Sequence, residues 1–185
     1  MKSGLKDINS LVTIVHGKEK RLSYIGSINS RLDYRNGKIY WTEIVPGLRW
    51  THENYSVLKC YDLKEGRIKS ITPRQRYLSP SVDKNGKVAA VSRTTVDGKN
   101  QLVLVELEDG KELFAFQVPG NAFIKELTFT DQDEVVAVAV TDAGISLLQF
   151  TPSSGQWEEL LSTASVNITS VSYTHLRAHE TLSDL

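Results

Sequence analysis

Four glycines recur at nearly constant intervals along this chain of 185 residues. Gly17, Gly66, Gly110 and Gly155 are separated by 49, 44 and 45 residues. Each lies in a polar turn between two runs of strand-forming residues, which is the pattern of a β-hairpin. Because a period of roughly 40–50 residues is typical of repeated β modules, the chain is predicted to be an array of similar units.

The central unit shows the module most completely. Its four predicted strands are Leu78–Val82, Lys87–Ser92, Gln101–Glu106 and Lys111–Gln117, with Asn85-Gly86 in the first turn. Asn-Gly favours the type I′ hairpin turn, because both of its central residues must adopt a positive φ. Helical periodicity is absent from these runs, so the unit is predicted to be a four-stranded sheet.

Units of the same kind are predicted on both sides. The preceding whole unit has four strands and an Asn-Gly turn: Arg31–Tyr34, Asn36-Gly37, Lys38–Glu43, Tyr55–Asp62 and Arg67–Ile71. The following unit has strands at Ile124–Phe129, Glu134–Thr141, Ile145–Thr151 and Trp157–Leu161. Before them, Leu11–Val15 and Arg21–Tyr24 correspond to the last two strands of a unit that is incomplete.

Several predicted strands are almost continuously apolar rather than alternating. The clearest runs are Val88–Val91, Leu102–Val105 and Val135–Val140. Such runs suit strands that are covered on both faces, as in blades stacked against neighbouring blades. We therefore predict an all-β fold, a partial β-propeller of four-stranded antiparallel blades with about three whole blades plus partial ones.

The predicted boundaries follow the repeat. They are 1–26 for the end of a truncated blade, 27–72 for a blade with a long insertion at 44–54, 73–118 and 119–162 for two further blades, and 163–171 for the start of another. The last segment, 172–185, departs from the β pattern and resembles translated adapter sequence at the ends of metagenomic reading frames. It is therefore predicted to be a non-native tail without a part in the function.

Composition excludes several classes of function. Lys plus Arg and Asp plus Glu both total 22, so no global charge favours nucleic acid or an anionic membrane. No apolar run reaches the length of a membrane span, and the N-terminus lacks the apolar core of a signal peptide. Cys60 is the single cysteine, which excludes an intrachain disulfide, and strand alternation predicts that it packs as an inert thiol.

The central unit resembles the WD40-like (PD40-type) repeat of TolB-like propellers. The matching residues are Ser79-Pro80, Asp83, Gly86-Lys87, the run Val88–Val91, and Asp97-Gly98 before Gln101–Leu107. The turn SPSVDKNGK is longer than the Ser-Pro-Asp-Gly-Lys pattern of the family. This resemblance implies the propeller fold and a periplasmic or cell-envelope location in a bacterium.

A second stretch is similar to the propellers attached to bacterial zinc metallopeptidases of the gluzincin type. It comprises Tyr40-Trp41-Thr42-Glu43, Leu48-Arg49-Trp50 and Tyr55-Ser56. No metallopeptidase motif occurs in the chain, so this resemblance implies a catalytic domain elsewhere in a parent protein.

Blade topology predicts which loops share a face. Strands alternate in direction, so the loop between the second and third strands of a blade lies on the same side as the connection to the next blade. This loop face would carry the candidate binding residues Arg49, Trp50, His52, Glu53, Arg74, Arg76 and Arg93. Arginine and tryptophan are enriched in binding hot spots, and long loops on rigid scaffolds commonly carry recognition. The alternative is that Trp50 folds the insertion back onto its own blade.

Other motifs indicate no chemistry. His175 and His179 have the spacing of helical zinc ligands, but Leu176 stands where a zincin needs glutamate, and we predict no metal. His52 and Glu53 are adjacent, and neighbours on an extended segment point in opposite directions. Asp83-Lys84-Asn85-Gly86 lacks the spacing of a calcium loop and is predicted to be a hairpin turn.

The sequence therefore predicts a non-catalytic TolB-like scaffold with no cofactor and no catalytic residues. Its partner would be a protein, a peptide or a glycan bound at the loop face, with no nucleic acid. The alternative is a propeller that docks or gates substrate for a peptidase domain in the same parent chain. Fold alone does not separate these two functions.

Overall fold

The computed structural model describes residues 9–28, 31–46, 54–142 and 144–163. Their regular structure is β throughout, apart from one short 3₁₀ turn at Pro119–Asn121. The strands form one two-stranded hairpin and three four-stranded antiparallel sheets. Within these ranges no helix is long and apolar enough to cross a bilayer. The prediction of an all-β, partial propeller is confirmed.

The strands follow the chain order in every sheet. The hairpin consists of β1 (Ser10–Val15) and β2 (Lys18–Tyr24). The first blade consists of β3 (Asp33–Arg35), β4 (Lys38–Pro46), β5 (Asn54–Asp62) and β6 (Arg67–Ser70). The second consists of β7 (Tyr77–Val82), β8 (Val88–Thr94), β9 (Asn100–Glu106) and β10 (Glu112–Gln117). The third consists of β11 (Phe123–Phe129), β12 (Val135–Thr141), β13 (Gly144–Thr151) and β14 (Gln156–Thr163).

The blades stack through their apolar faces, and the first strand of each blade contacts strands of the adjacent blades. Strand β7 packs against β3, β4 and β5 on one side and against β11 on the other. One core cluster lies between the second and third blades and includes Leu102, Leu104, Ile124 and Phe129. Another lies between the first and second blades and includes Tyr40, Leu58, Val82, Ala89 and Leu107.

Burial on both faces accounts for the continuous apolar runs. In β8, Ala90 contributes to the core shared with the third blade, whereas Ala89 contributes to the core shared with the first. Both side chains are fully buried, although they point to opposite faces of the sheet. A strand in this position has no solvent-facing side, so an alternating polar pattern is not needed.

The four repeating glycines all occupy left-handed backbone at the turn before the outermost strand. Their φ values are 73° at Gly17, 66° at Gly66, 75° at Gly110 and 68° at Gly155. Gly17 lies between β1 and β2, just as Gly66 lies between β5 and β6. The hairpin thus corresponds in position to the two outer strands of a blade.

The two Asn-Gly turns differ. Asn36 and Gly37 have φ values of 49° and 77° and join β3 to β4 as a two-residue turn, so the type I′ prediction holds there. It is wrong at Asn85-Gly86, where Gly86 has a positive φ and Asn85 does not. The physical reason is Asp83, whose carboxylate accepts backbone N–H bonds within the turn and stabilises a longer loop.

Two strands of the first blade have bounds that differ from the prediction. Strand β3 begins at Asp33 rather than Arg31, because only Asp33–Arg35 face β4 across the short turn. Strand β4 extends through Pro46 and pairs with β5 as far as Asn54, so Ile44–Pro46 belong to the sheet. The connection between the two strands is therefore 47–53. The predicted segments 163–171 and 172–185, with His175 and His179, lie almost wholly outside the described residues.

Candidate functional site

The candidate site lies where the first blade passes to the second on the loop face. A depression of about 250 Å³ is lined by Tyr55, Arg74, Gln75, Arg76, Arg93, Thr94, Thr95 and Val96. Three of the predicted binding residues, Arg74, Arg76 and Arg93, thus line one surface feature. Its residues come from the start of β5, the connection between the blades, and the end of β8 with the loop that follows.

A short backbone bridge holds the arginine-bearing connection against β5. The Ser56 amide donates to the Gln75 carbonyl at 2.6 Å, and the Gln75 amide donates to the Ser56 carbonyl at 2.8 Å. The buried Ser56 hydroxyl also donates to the carbonyl of Tyr77 at 2.6 Å. Because Arg74 and Arg76 flank Gln75, this bridge fixes the backbone from which both guanidinium groups project.

The two arginines keep their charge available at the surface. Arg74 is exposed and Arg76 is half-buried. The Arg76 guanidinium lies over the Tyr55 ring, 5.9 Å from the ring centroid, a cation–π arrangement that limits its range of orientations. Neither arginine has a carboxylate within ion-pair distance among the residues that the structure describes. The described lining residues therefore carry a local excess of positive charge, in a chain that is neutral overall.

The opposite wall is an ordered loop that exposes an apolar side chain. The Thr95 hydroxyl accepts from the Lys99 amide at 3.0 Å, and the Gly98 amide donates to the Thr95 carbonyl at 3.0 Å. Hydrogen bonds from Thr95 and Lys99 lower the pKa of the Asp97 carboxyl in this loop. Val96 stands at the tip with 90% of its surface exposed. The wall therefore combines a fixed backbone with an apolar contact.

Arg93 serves a different purpose from the other two arginines. Its Nη1 donates to Glu112 Oε1 at 2.7 Å, and its Nη2 donates to Gln101 Oε1 at 2.9 Å. The Tyr77 hydroxyl donates to the same carboxylate. Burial and this hydrogen bond raise the pKa of Tyr77, so the phenol stays protonated. Arg93 is thus committed to a network that joins β7, β8, β9 and β10 beneath the depression.

Sequence reasoning missed Asn121, which orders the neighbouring part of the loop face. Its carboxamide oxygen accepts from the Asn100 amide at 2.7 Å, and its Nδ2 donates to the Gly98 carbonyl at 3.0 Å. Gln117 adds a bond to the same oxygen at 3.0 Å. Asn121 has φ of 53°, a conformation that asparagine tolerates better than most residues. The dipeptide Gly120-Asn121 was the available signal for this turn.

The remaining predicted site residues lie outside the described part of the chain. Arg49, Trp50, His52 and Glu53 belong to the connection 47–53. That connection begins after Pro46 and rejoins the sheet at Asn54, next to Tyr55 in sequence. Their contribution to the site stays a prediction.

The described residues offer no arrangement for metal chemistry. No group of three or more His, Cys, Asp or Glu side chains lies close enough to hold an ion within the described ranges. Cys60 is buried in β5 against the second blade, and burial raises the pKa of its thiol. A thiol that resists ionisation is a weak nucleophile, in keeping with the packing function predicted for it.

Comparison with known proteins shows similarity in structure and not in sequence. No family model matches the chain, and no curated protein matches it by sequence. Among solved structures, TolB from Acinetobacter baumannii superposes with a TM-score of 0.63 at 13% identity, over 80% of this chain and 36% of TolB. The β-propeller domain of the Trilobed protease from Pyrococcus furiosus gives 0.52 at 12% identity, over 70% and 42%.

Acylaminoacyl peptidase from Pyrococcus horikoshii gives a TM-score of 0.52 at 13% identity, over 71% of this chain and 25% of the peptidase. The chain therefore spans between a quarter and about two fifths of the length of these three proteins. Identities this low establish the fold and leave activity open. Together with the stacked four-stranded sheets, they show that this chain has the fold of a partial β-propeller, with structural neighbours that include TolB and the propellers of peptidases.

Proposed function

We propose that this chain is a non-catalytic propeller region that binds a protein or peptide partner at its loop face. The observation that carries the proposal is the pair Arg74 and Arg76, held by the Ser56–Gln75 bridge beside the Tyr55 ring. Cationic and aromatic side chains on a fixed backbone, with no acidic side chain among the described lining residues, are typical of a binding hot spot. Arg49, Trp50, His52 and Glu53 would extend this surface along the connection 47–53.

Three observations support this proposal over a purely structural function of the same residues. A structural arginine in this fold has its partners, as Arg93 does with Glu112 and Gln101. Arg74 is exposed and has no carboxylate partner among the described residues. Val96 is exposed at the tip of a loop that its own hydrogen bonds keep ordered. Partner binding would give both side chains a function.

A selection experiment tests the proposal. The immobilised chain is offered a phage library of random dodecapeptides, and enriched peptides are synthesised and measured by fluorescence anisotropy. We expect the Arg74→Gln, Arg76→Gln double variant to bind them at least about tenfold more weakly, in line with the loss of hot-spot contacts. Lys64→Gln is the matched control, because Lys64 is an exposed cation in the β5–β6 turn at the opposite rim.

The outcomes of this selection are distinct. Enriched peptides that lose affinity with the arginines and keep it in the Lys64 control support the proposal. A selection that enriches no peptide, or peptides that bind the double variant as well as the wild type, overturns it. Binding to an array of glycans in place of peptides would assign the loop face to the glycan partner that the sequence also permits.

A second candidate is a docking or gating propeller for a peptidase domain in the same parent protein. The observation that favours it is the fold similarity to the propellers of the Trilobed protease and acylaminoacyl peptidase. The test is to recover the uninterrupted reading frame from genomic DNA. A helical domain with an HExxH motif, or a Ser-Asp-His hydrolase domain, in the same frame would favour this function. A complete frame without either would exclude it.

A further inference from the structure

The spacing of the arginine pair identifies a class of ligand within the proposed function. Arg74 and Arg76 are two residues apart, so their Cα atoms are separated by at most about 7 Å. In an extended peptide, side chains two residues apart lie on the same face and repeat at about the same distance. A ligand that carries two anionic side chains in that register would meet both guanidinium groups at once.

We propose that this depression is a clamp for an extended acidic peptide with a Glu-x-Glu or Asp-x-Asp sequence. This inference rests on the proposed function and adds the chemistry of its partner. Arginine suits carboxylates because its planar guanidinium donates two parallel N–H bonds to the two oxygens. Each guanidinium group would bind one carboxylate of the ligand. The Tyr55 ring would position the guanidinium group of Arg76.

The surroundings of the pair favour carboxylates over other ligands. Two acidic groups that bond lining residues are each paired with a cation as well: Glu112 with Arg93, and Asp97 with Lys99. A ligand carboxylate is therefore not opposed by an unneutralised acid among the described lining residues. Val96, 90% exposed on the opposite wall, offers an apolar contact to a neighbouring ligand residue.

The polar contacts also favour an extended ligand over a folded one. The arginines lie on a short connection that is held to β5 by one isolated bridge, between Ser56 and Gln75. An extended peptide can run alongside such a segment over several residues, whereas a helix presents acidic side chains three or four residues apart. The two acidic side chains of a Glu-x-Glu sequence would point to different sides of a helix, so a helix cannot present both to the arginine pair.

The test uses three labelled peptides on the full chain. The probe is an acetylated and amidated heptapeptide, Ser-Val-Glu-Val-Glu-Val-Ser, whose two carboxylates are both on side chains. The second peptide replaces both glutamates with glutamine, and the third is the glutamine peptide with a free C-terminal carboxylate. Anisotropy titrations at low and at physiological salt give the affinity of each peptide for the wild type, for Arg74→Gln, Arg76→Gln and for Lys64→Gln.

We expect the glutamate peptide to bind at least about tenfold more tightly than the glutamine peptide, with a preference that weakens as salt screens the charges. The Arg74→Gln, Arg76→Gln variant should abolish the preference, and Lys64→Gln should keep it. Equal binding of the glutamate and glutamine peptides overturns the inference. Binding of the free C-terminal peptide as tightly as the glutamate peptide would assign the arginines to a terminal carboxylate and would also overturn it.

Failure here is distinguishable from failure of the proposed function. If the phage selection yields peptides that depend on Arg74 and Arg76 but contain no acidic pair, the loop face binds peptides and the acidic specificity is wrong. If the selection yields no peptide at all, the proposed binding of a protein or peptide partner is itself wrong.

Discussion

Arg31 and Glu126 form an ion pair that joins the first blade to the third, across 95 residues of sequence. Arg31 precedes β3 and Glu126 lies in β11, so the pair spans the inner side of the second blade. The same region is a polar cavity of about 260 Å³ lined by residues of β3, β7 and β11, the first strands of the three blades. Charged and hydroxyl side chains thus converge where the three blades approach a common axis.

The Arg31–Glu126 pair is expected to contribute little to stability. Arg31 is 59% exposed, so solvent screens its attraction to Glu126. A double-mutant cycle with Arg31→Gln and Glu126→Gln should give a coupling energy of about 0.5 kcal/mol from urea unfolding at low salt, falling at high salt. A coupling above about 2 kcal/mol, or one that does not change with salt, would contradict this account of a pair whose arginine is open to solvent.

Gly110 is expected to be the least replaceable of the turn glycines. A Cβ added there would lie 1.9 Å from the Ile71 carbonyl oxygen, on the backbone that leaves the first blade. Gly98 is a matched control with nearly the same φ, 77° against 75°, and open space around its Cα. Gly98→Ala should lower the free energy of unfolding by about 1 kcal/mol, the cost of left-handed backbone.

Gly110→Ala should cost at least about 3 kcal/mol, because it adds a clash between two blades to that same backbone cost. Urea unfolding of the two variants measures the difference directly. Equal losses for the two variants would show that the second blade can move away from Ile71 without cost.

The repeat, the strand order and the two-sided cores could be predicted from the sequence because they follow from periodic patterns. Apolar runs such as Val135–Val140 and the regular turn glycines do not depend on distant contacts. The Asn85-Gly86 turn could not be predicted in the same way. Its conformation is decided by the Asp83 carboxylate, and nothing in the dipeptide distinguishes it from Asn36-Gly37, which does adopt the type I′ geometry.

For the candidate site, the sequence could predict which loops and arginines share one face of the blades. Alternating strand directions placed Arg74, Arg76 and Arg93 on one rim, and the structure brings all three to one depression. Their separate functions depend on partners that are distant in sequence. Glu112 lies 19 residues after Arg93, and no local pattern indicates that the two form an ion pair.

Asp83 is expected to stabilise the second blade through its own turn. Its Oδ1 accepts from the Lys87 amide at 2.7 Å and the Val88 amide at 2.8 Å, and the residue is only 8% exposed. Asp83→Ala should lower the free energy of unfolding by about 2 kcal/mol, because two part-buried hydrogen bonds to the Lys87 and Val88 amides lose their acceptor. Asp83→Asn should cost less, since its amide oxygen can replace Oδ1.

The control for this prediction is Asp109→Ala. Asp109 is exposed and its Oδ1 accepts from a single amide, that of Lys111 at 2.8 Å. Asp109→Ala should therefore lower the free energy of unfolding by only about 0.5 kcal/mol. Thermal unfolding of the three variants gives the order of the losses. A larger loss at Asp109 than at Asp83 would show that the second-blade turn does not depend on the carboxylate.

Glu43 is expected to make stability depend on pH in the acid range. Burial alone would raise its pKa, but hydrogen bonds from Lys59, the Gly26 amide and the Trp41 indole outweigh burial and hold the pKa below its ordinary value of 4.5. The folded state therefore binds this proton less readily than the unfolded state does. The stabilisation is present above about pH 4.5 and is lost as the pH falls through the lower folded pKa.

Glu43→Gln removes this titration, so its urea midpoint should fall less than that of the wild type between pH 6 and pH 3. Glu158→Gln, an exposed side chain on β14, should leave the wild-type slope unchanged. If the urea midpoint of Glu43→Gln fell as much as that of the wild type, the loss of stability in acid would come from other carboxylates.

Arg93 provides the sharpest separation between stability and binding at the candidate site. Its side chain is 18% exposed, and its removal leaves the Glu112 carboxylate with one charged partner fewer in a half-buried position. Arg93→Gln should therefore lower the free energy of unfolding by about 1–3 kcal/mol. Arg74→Gln, Arg76→Gln should change it by less than about 1 kcal/mol, because neither side chain has a described ion pair and only the contact between Arg76 and the Tyr55 ring is lost.

The peptide affinities should show the reverse order. The double variant loses binding, whereas Arg93→Gln, measured at a temperature where it is fully folded, retains most of it because its charge is already neutralised by Glu112. Thermal unfolding and anisotropy titrations on the same samples give both readouts. If Arg93→Gln abolished binding without a change in melting temperature, Arg93 would contact the ligand. Its assignment to stability rather than to binding would then be wrong.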